Sequence, residues 1–392
     1  MERRKTESAA SVPKTRAKGA LQKTTKSAPE RQEDKPYLTF GIGCFHFASL
    51  RPANEITREK YFQDLKEYFL SDKLVVNFEI DSSDITSVFA EERPENITEN
   101  IYESEIIYPY VRNCLIRFEI HVPKRVQKEY ILSWREPTAN ENFVVEIDYS
   151  EDIPVTYVWL DADEPSPSTA VSILWKHLKS SNPESKAIKF QMTGPSPFHT
   201  NFVVRKTNGR TLDISIKEKR GYDQMTIVVP DVIEESDVKE IVRYRLNEEF
   251  SIFYEASIDR VRFHNDFSLI SDKIEKTINK ESLRDKIKRM IVGGDPEIYD
   301  ISIEIEKIMI NLERMLSGYK EKLSYIEKSF GEIINKSNIE DRLSEIGSVP
   351  LERYLSIISI LRSRHESSRA NYTVIIAAIV GAAAALLSSK IF

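Results

Sequence analysis

At 392 residues, with 41% hydrophobic, 30% charged and 10% aromatic content, the chain can build one large or two modest domains with substantial cores. That excludes wholesale disorder and collagen-like or disulfide-stapled classes. Its 12 glycines form neither G-x-G-x-x-G nor G-x-x-x-x-G-K-S/T, so the standard phosphate cradles are absent, and Cys44 and Cys114 alone cannot make a four-cysteine zinc site.

Charge is spread unevenly along the chain. Residues 1–35 hold ten basic and five acidic side chains, a local +5, so with −6 overall the remainder carries −11. Between Ala9 and Pro29 only Val12 and Leu21 are large and apolar, too few to offset the entropy of ordering, and the segment is expected to be a disordered basic tail. It lacks the hydrophobic run of a secretory signal. Such a tail either lies on an anionic surface or keeps the chain soluble.

From 36 to 266 strand-like runs dominate: Leu38–Phe47, Leu74–Ile80, Val111–Val122, Glu129–Trp134, Phe143–Tyr149, Val155–Leu160, Ala187–Met192, Phe198–Arg205, Thr211–Lys217 and Gln224–Val229. Helices are expected at Thr57–Leu70, at Ser168–Lys179 with Ser168 as N-cap, and at Asp237–Phe250. The polar, acidic stretch 91–108 reads as a long loop. Because many strands follow one another without helices, and Asn208-Gly209 and Arg220-Gly221 signal turns between the last of them, antiparallel hairpins should prevail. A boundary near 165 would divide this α+β region into two subdomains.

Upstream of the C-terminus the pattern turns helical, over 267–368. A short helix at Ser282–Val292 ends at Gly293-Gly294, and a long one runs from Pro296 to Ile334 with Asp295 as N-cap. Along it Ile298, Ile301, Ile305, Ile308, Leu312, Met315 and Tyr319 follow a 3,4 spacing, which after one four-residue step resumes at Leu323, Ile326, Phe330 and Ile333: a heptad seam with a stutter. Such a seam is satisfied either between copies, with Ile at both core positions favouring more than two strands, or inside one chain as a helical bundle. Pro350 opens the last soluble helix, with Leu351, Tyr354, Leu355, Ile358 and Leu361 on one face.

The segment Ala370–Ser389 contains no charge, and its twenty residues would span about 30 Å as a helix, the thickness of a bilayer's hydrocarbon core. Arg362, Arg364 and Arg369 precede it and only Lys390 follows, so charge bias places the N-terminal part in the cytoplasm, as in a tail-anchored, single-pass membrane protein. Ala377, Gly381 and Ala385 recur on one face at the spacing that lets two membrane helices approach closely.

Residues with potential chemistry are sparse. Asp161 and Asp163, directly after the apolar run Val155–Leu160, form a D-x-D pair that could hold one Mg²⁺ or Mn²⁺ against a substrate's phosphates. Strand-end pairs of this type are similar to those of haloacid dehalogenase-like phosphatases, sugar-nucleotide transferases and topoisomerase-primase domains. The companion residues are missing: Pro165 follows Glu164, and Glu79 precedes Ile80 rather than glycine. Glu79, Asp81, Asp84, Glu146 and Asp148 would join the pair only if the fold gathered them. The six histidines, His46, His121, His177, His199, His264 and His365, show no H-x-x-x-H spacing. Cys44 and His46 share a strand face, whereas a Cys-His catalytic pair normally comes from separate segments. Ser196, within Gly194–Pro197, has no nucleophile-elbow pattern.

The sequence thus leads to an α+β class: a mixed, largely antiparallel sheet domain, then a helical stalk or bundle and one C-terminal transmembrane helix. Function is expected to be that of a membrane-tethered cytosolic interaction or scaffold protein that oligomerises through stalk and anchor. The alternatives are an anchored metal-dependent enzyme using Asp161 and Asp163, and a membrane-perturbing effector. Expected partners are the bilayer, further copies of the chain and a cytosolic protein or ligand, rather than nucleic acid. No cofactor is expected apart from Mg²⁺ or Mn²⁺ if the enzymatic alternative holds.

Overall fold

The computed structural model describes residues 36–51, 57–81, 114–131, 136–149, 153–162, 166–181, 187–193, 200–208, 213–217, 223–279, 296–348 and 353–360, together with 362, 363, 374 and 377. Outside them lie the basic tail, the loop at 91–108, the helix at 282–292 with Asp295, the turn around Ser196, Asp84, Asp163, Gly381 and Ala385.

The class is α+β with a mixed, largely antiparallel sheet. Strands β1 (Leu38–Gly43), β3 (Val75–Asp81), β4 (Leu115–His121), β5 (Asn142–Asp148), β6 (Val155–Leu160), β8 (Thr200–Thr207), β9 (Asp213–Lys217) and β10 (Asp223–Pro230) form one sheet in the order β3-β4-β5-β6-β1-β8-β10-β9. Strands β2 (Phe45–Ser49) and β7 (Ile188–Met192) form a separate two-stranded ribbon. Strands from both sides of residue 165 thus share one sheet. Among the described residues only β8 and β10 pair in parallel.

Three expectations about the strands are corrected. The run Leu38–Phe47 is two strands, not one: Phe45 donates its N–H to Thr156 Oγ1 at 3.0 Å and Cys44 C=O accepts from Thr193 N at 3.0 Å, so both leave the main ladder and β2 turns to β7. The beginning of Glu129–Trp134, Glu129 and Tyr130, belongs instead to helix α2 (Lys124–Tyr130), which buried Gln127 holds through bonds to the carbonyls of Val122 and Asn140. Strands β8 and β9 do not pair across Asn208, because β10 inserts between them. Both edges of β10 are thereby used, as its alternately buried Met225, Ile227 and Val229 suit a strand inside a sheet.

Alternation along the strands sorts side chains to two cores. Helices α1 (Arg58–Ser71) and α3 (Pro167–Ser181) cover one face, over Ile116, Phe118, Ile120, Phe143, Val145, Ile147, Val158 and Leu160. Thr57 caps α1 by accepting from Lys60 N at 3.3 Å. Ser168 is not the cap of α3 but lies within it; Pro167 is the first residue, and Ser166 bonds Thr169 through both backbone and hydroxyl. Gly41 and Gly43 let α3 sit directly on β1: a Cβ on Gly41 would fall 2.5 Å from Pro167 O and from Val171 Cγ2.

The opposite face, Phe40, Ile42, Val155, Tyr157, Trp159, Phe202, Val204 and Met225, is covered by helix α4 (Glu235–Asn279). This helix extends far beyond Phe250, the expected end, and runs through residue 266 without a break. Helices α5 (Pro296–Phe330) and α6 (Lys336–Gly347), and a helical segment at 353–360, pack along it. Gly331, at φ 78°, terminates α5 in the left-handed conformation and turns the chain toward α6.

Candidate functional site: the helical bundle and its polar anchorage

Helix α4 is fastened to the sheet by a buried carboxylate. Glu146 on β5 lies in register with Arg117 on β4 and Tyr157 on β6, on the face turned toward α4. Its two oxygens accept from Arg117 Nε at 2.9 Å, Trp159 Nε1 at 2.9 Å and Arg243 of α4 at 2.7 Å, and Arg243 also stands 3.9 Å from Asp148. With both oxygens occupied, Glu146 is neither a free base nor an open ligand; it locks the helix onto the strands.

Two residues further along, Arg245 donates to Glu249 at 2.6 Å and to Glu332 C=O at 2.7 Å, while its guanidinium stacks on Phe330 at 4.8 Å. Glu249 also receives the backbone N–H groups of Ile334 and Asn335 at 3.1 and 3.2 Å, so a buried acid holds the link between α5 and α6. Burial raises its pKa, against the lowering by Arg245 and the two amides. Beside this link, Asp237, Glu240, Tyr244, Arg245 and Phe330 line an open cleft of about 380 Å³, and Tyr244 is 74% exposed.

From Asp259 onward the partners of α4 are helices. Asp259 accepts from Tyr319 OH at 2.7 Å, Arg260 pairs with Glu345 at 2.6 Å, Phe267 meets Tyr354 and Lys273 pairs with Glu304 at 2.7 Å. Lys322 reaches back to Glu255 at 2.6 Å. Contacts descend α5 as they climb α4, so the two are antiparallel. The seam residues Ile298, Ile301, Ile305 and Leu312 are buried in this interface, with Ile308 and Met315 partly buried beside them. Of the two ways to satisfy the seam, the single chain therefore uses the internal bundle. Arg362 places its guanidinium 5.1 Å above the Tyr299 ring, which brings the end of the last described helix beside the first turns of α5.

Among the described residues the strand-end acids do not assemble into a metal centre. Asp161 is exposed; its carboxylate accepts from the Asn140 amide and its carbonyl from Thr39 Oγ1 at 2.9 Å, while Asp163 lies outside the described residues. Register does bring Glu79 to one side of Arg117 with Glu146 on the other, and Asp81 and Asp148 to either side of Leu115. Their backbones stand two strands apart, about 9.6 Å at the usual strand spacing, with β4 between them and the Glu146 oxygens already taken by Arg117, Trp159 and Arg243. Among the described residues no group of three or more His, Cys, Asp or Glu is arranged to hold a metal.

Cys44 Sγ and His46 Nε2 are 2.8 Å apart and Thr193 Oγ1 is 3.0 Å from the same nitrogen. Burial pushes the thiol well above its ordinary pKa and pulls the imidazole down to about 3, so both are neutral in the interior, the opposite of a thiolate–imidazolium nucleophile. Burial likewise raises Cys114 to about 12.

An arrangement that sequence spacing does not reveal joins three helix ends: His177 on α3 bonds Asp72 after α1 at 2.7 Å and faces Tyr130 OH of α2 at 3.3 Å, while that hydroxyl also meets Ser180 Oγ at 2.9 Å. Burial would raise the Asp72 pKa, but hydrogen bonds from His177 and Leu74 N–H outweigh it and hold the carboxyl below its usual value. Glu146 had one visible signal, a carboxylate inside the apolar run Phe143–Ile147, and Glu249 had one in its i,i+4 spacing from Arg245; Arg243 and Asp72 had none, since their partners lie 97 and 105 residues away.

No helix among the described residues is long and apolar enough to cross a membrane, and the uncharged run 370–389 is described only at Val374 and Ala377. No protein-family model, no curated protein and no solved structure matches the chain.

Proposed function

We propose that the chain is a membrane-tethered interaction or scaffold protein whose bundle is a stalk between the α+β domain and an anchor at Ala370–Ser389. The observation that carries this is the path of the chain through the bundle. Helix α4 leaves the sheet near Ala256, and its part from Asp259 to Asn279 advances about 30 Å at 1.5 Å per residue. Helix α5 returns toward the sheet, and α6 with the 353–360 segment travels outward again, so Arg362 lies at the far end beside Tyr299. The uncharged run begins eight residues later. A stalk has this connectivity, whereas a helix that merely capped the sheet would return the chain to it.

In this reading the N-terminal part is cytoplasmic, the anchor packs against its counterpart in another copy through Ala377, Gly381 and Ala385, and the cleft beside exposed Tyr244 receives a cytosolic partner. Alkaline carbonate extraction of membranes from expressing cells tests the tether. The full chain is expected in the pellet and a chain ending at residue 369 in the supernatant; a full chain released by carbonate would refute it.

A further inference from the structure

With the heptad seam used inside the chain, contact between stalks requires another surface, and α5 carries one. At about 100° per residue the seam lies on one side of the helix, and Tyr299, Ile303 and Ile310 lie within about 40° of one another on the opposite side. They are 48%, 50% and 55% exposed, a row about 16 Å long beside the end where the chain leaves the bundle. The flanks are charged and of opposite net sign: exposed Glu306 and Glu313 border one side, exposed Lys307 and Arg314 the other, where exposed Asp300 beside Tyr299 adds one acid; Glu306, Glu313, Lys307 and Arg314 form no ion pair among the described residues.

We infer that this outer face of α5 is a homotypic docking surface for a second copy of the chain in parallel orientation, an inference that rests on the membrane-tethered reading above. A two-fold axis along the helices sets the acidic flank of one copy against the basic flank of the other on both sides of the apolar row. Antiparallel pairing would oppose like charges on each side. Anchors inserted in one membrane with the same polarity enforce the parallel arrangement and raise the local concentration of partners, so a row too short to hold a dimer in solution suffices. The occupant is thus chosen by sign of charge and by where the chain ends, rather than by exposure alone.

The test is disulfide cross-linking of the full chain in liposomes, in the fraction that floats. Ile303→Cys and Ile310→Cys are each expected to give same-site dimers about five-fold above an Asn311→Cys control placed away from the row, because tethered copies are held at high effective concentration. The native Cys44 and Cys114 are buried and contribute no background. On the Ile303→Cys background, Glu306→Lys with Glu313→Lys is expected to abolish that excess, as is Lys307→Glu with Arg314→Glu, and mixing the two reversed chains is expected to restore it. Flotation without a site preference, or reversed chains that fail to recover on mixing, overturns the docking surface and leaves the tether standing. Failure to float overturns the tether, and the docking surface with it.

Discussion

Glu146 shows how much a single buried acid can organise. Its carboxylate joins two strands and a helix through Arg117, Trp159 and Arg243, and the Arg243 side chain is only 10% exposed. Replacing Glu146 by Gln leaves that guanidinium buried with only Asp148, 3.9 Å away, as counter-charge, and urea denaturation should register a loss of about 3 kcal/mol. Arg117→Gln, at the end of the network that is 41% exposed, should cost no more than about 1 kcal/mol, since water already screens that bond. His46 supplies a pH dependence. The folded imidazole, held down to about 3 by burial, stays neutral where the unfolded one takes a proton near 6.5. Between those values the unfolded state binds more protons, so stability rises with pH and is lost as pH falls below about 6.5. Lowering pH from about 7.5 to about 5.5 should therefore remove about 1.4 kcal/mol, and His46→Gln should flatten that slope.

Contact between β1 and α3 depends on two missing side chains. A Cβ at Gly43 would meet the Val171 side chain at 2.9 Å, whereas at Gly41 it would meet both Val171 and the Pro167 carbonyl at 2.5 Å. Each Gly→Ala change should destabilise by about 2 kcal/mol through overpacking. The partner change Val171→Ala should recover most of the loss at Gly43 and only part of it at Gly41, because backbone cannot be trimmed; thermal melts of the single and double variants distinguish the two. The positions of most strands and the periodicity of α5 were legible because they follow from side-chain alternation and helical spacing. The division at Cys44 was not, since it arises from Thr156, more than a hundred residues away. Nor was the length of α4, because its second half gains its apolar partners from α5, α6 and the 353–360 segment.

For the chain as a whole, the bundle decides how copies can meet. The residues that read as an oligomer seam, Ile298, Ile301, Ile305 and Leu312 among them, are spent on α4. A chain ending at residue 363 should consequently scatter light as a monomer at micromolar concentration, the outer row of α5 being too small to pair without a membrane. A stable trimer under those conditions would mean that the seam opens and pairs between chains. The strand-end acids follow a similar logic at longer range: Glu79, Asp81, Glu146 and Asp148 do share a sheet face, but β4 stands between them, and Arg117 from that strand neutralises Glu146 instead of an ion.

Composition and periodicity alone determined the α+β class, most strands, the antiparallel bias and the register of the α5 seam, because each depends on neighbours within a few turns or strand residues. The charge-free run at 370–389 is likewise a property of the sequence itself. Only the tertiary structure decided which strands are neighbours, that α4 bridges sheet and bundle, and that the seam closes within one chain. Those outcomes depend on long-range pairings, Arg243 with Glu146 and Glu249 with the amides of Ile334 and Asn335, whose free energy exists only once distant segments have been brought together and water has been expelled from between them.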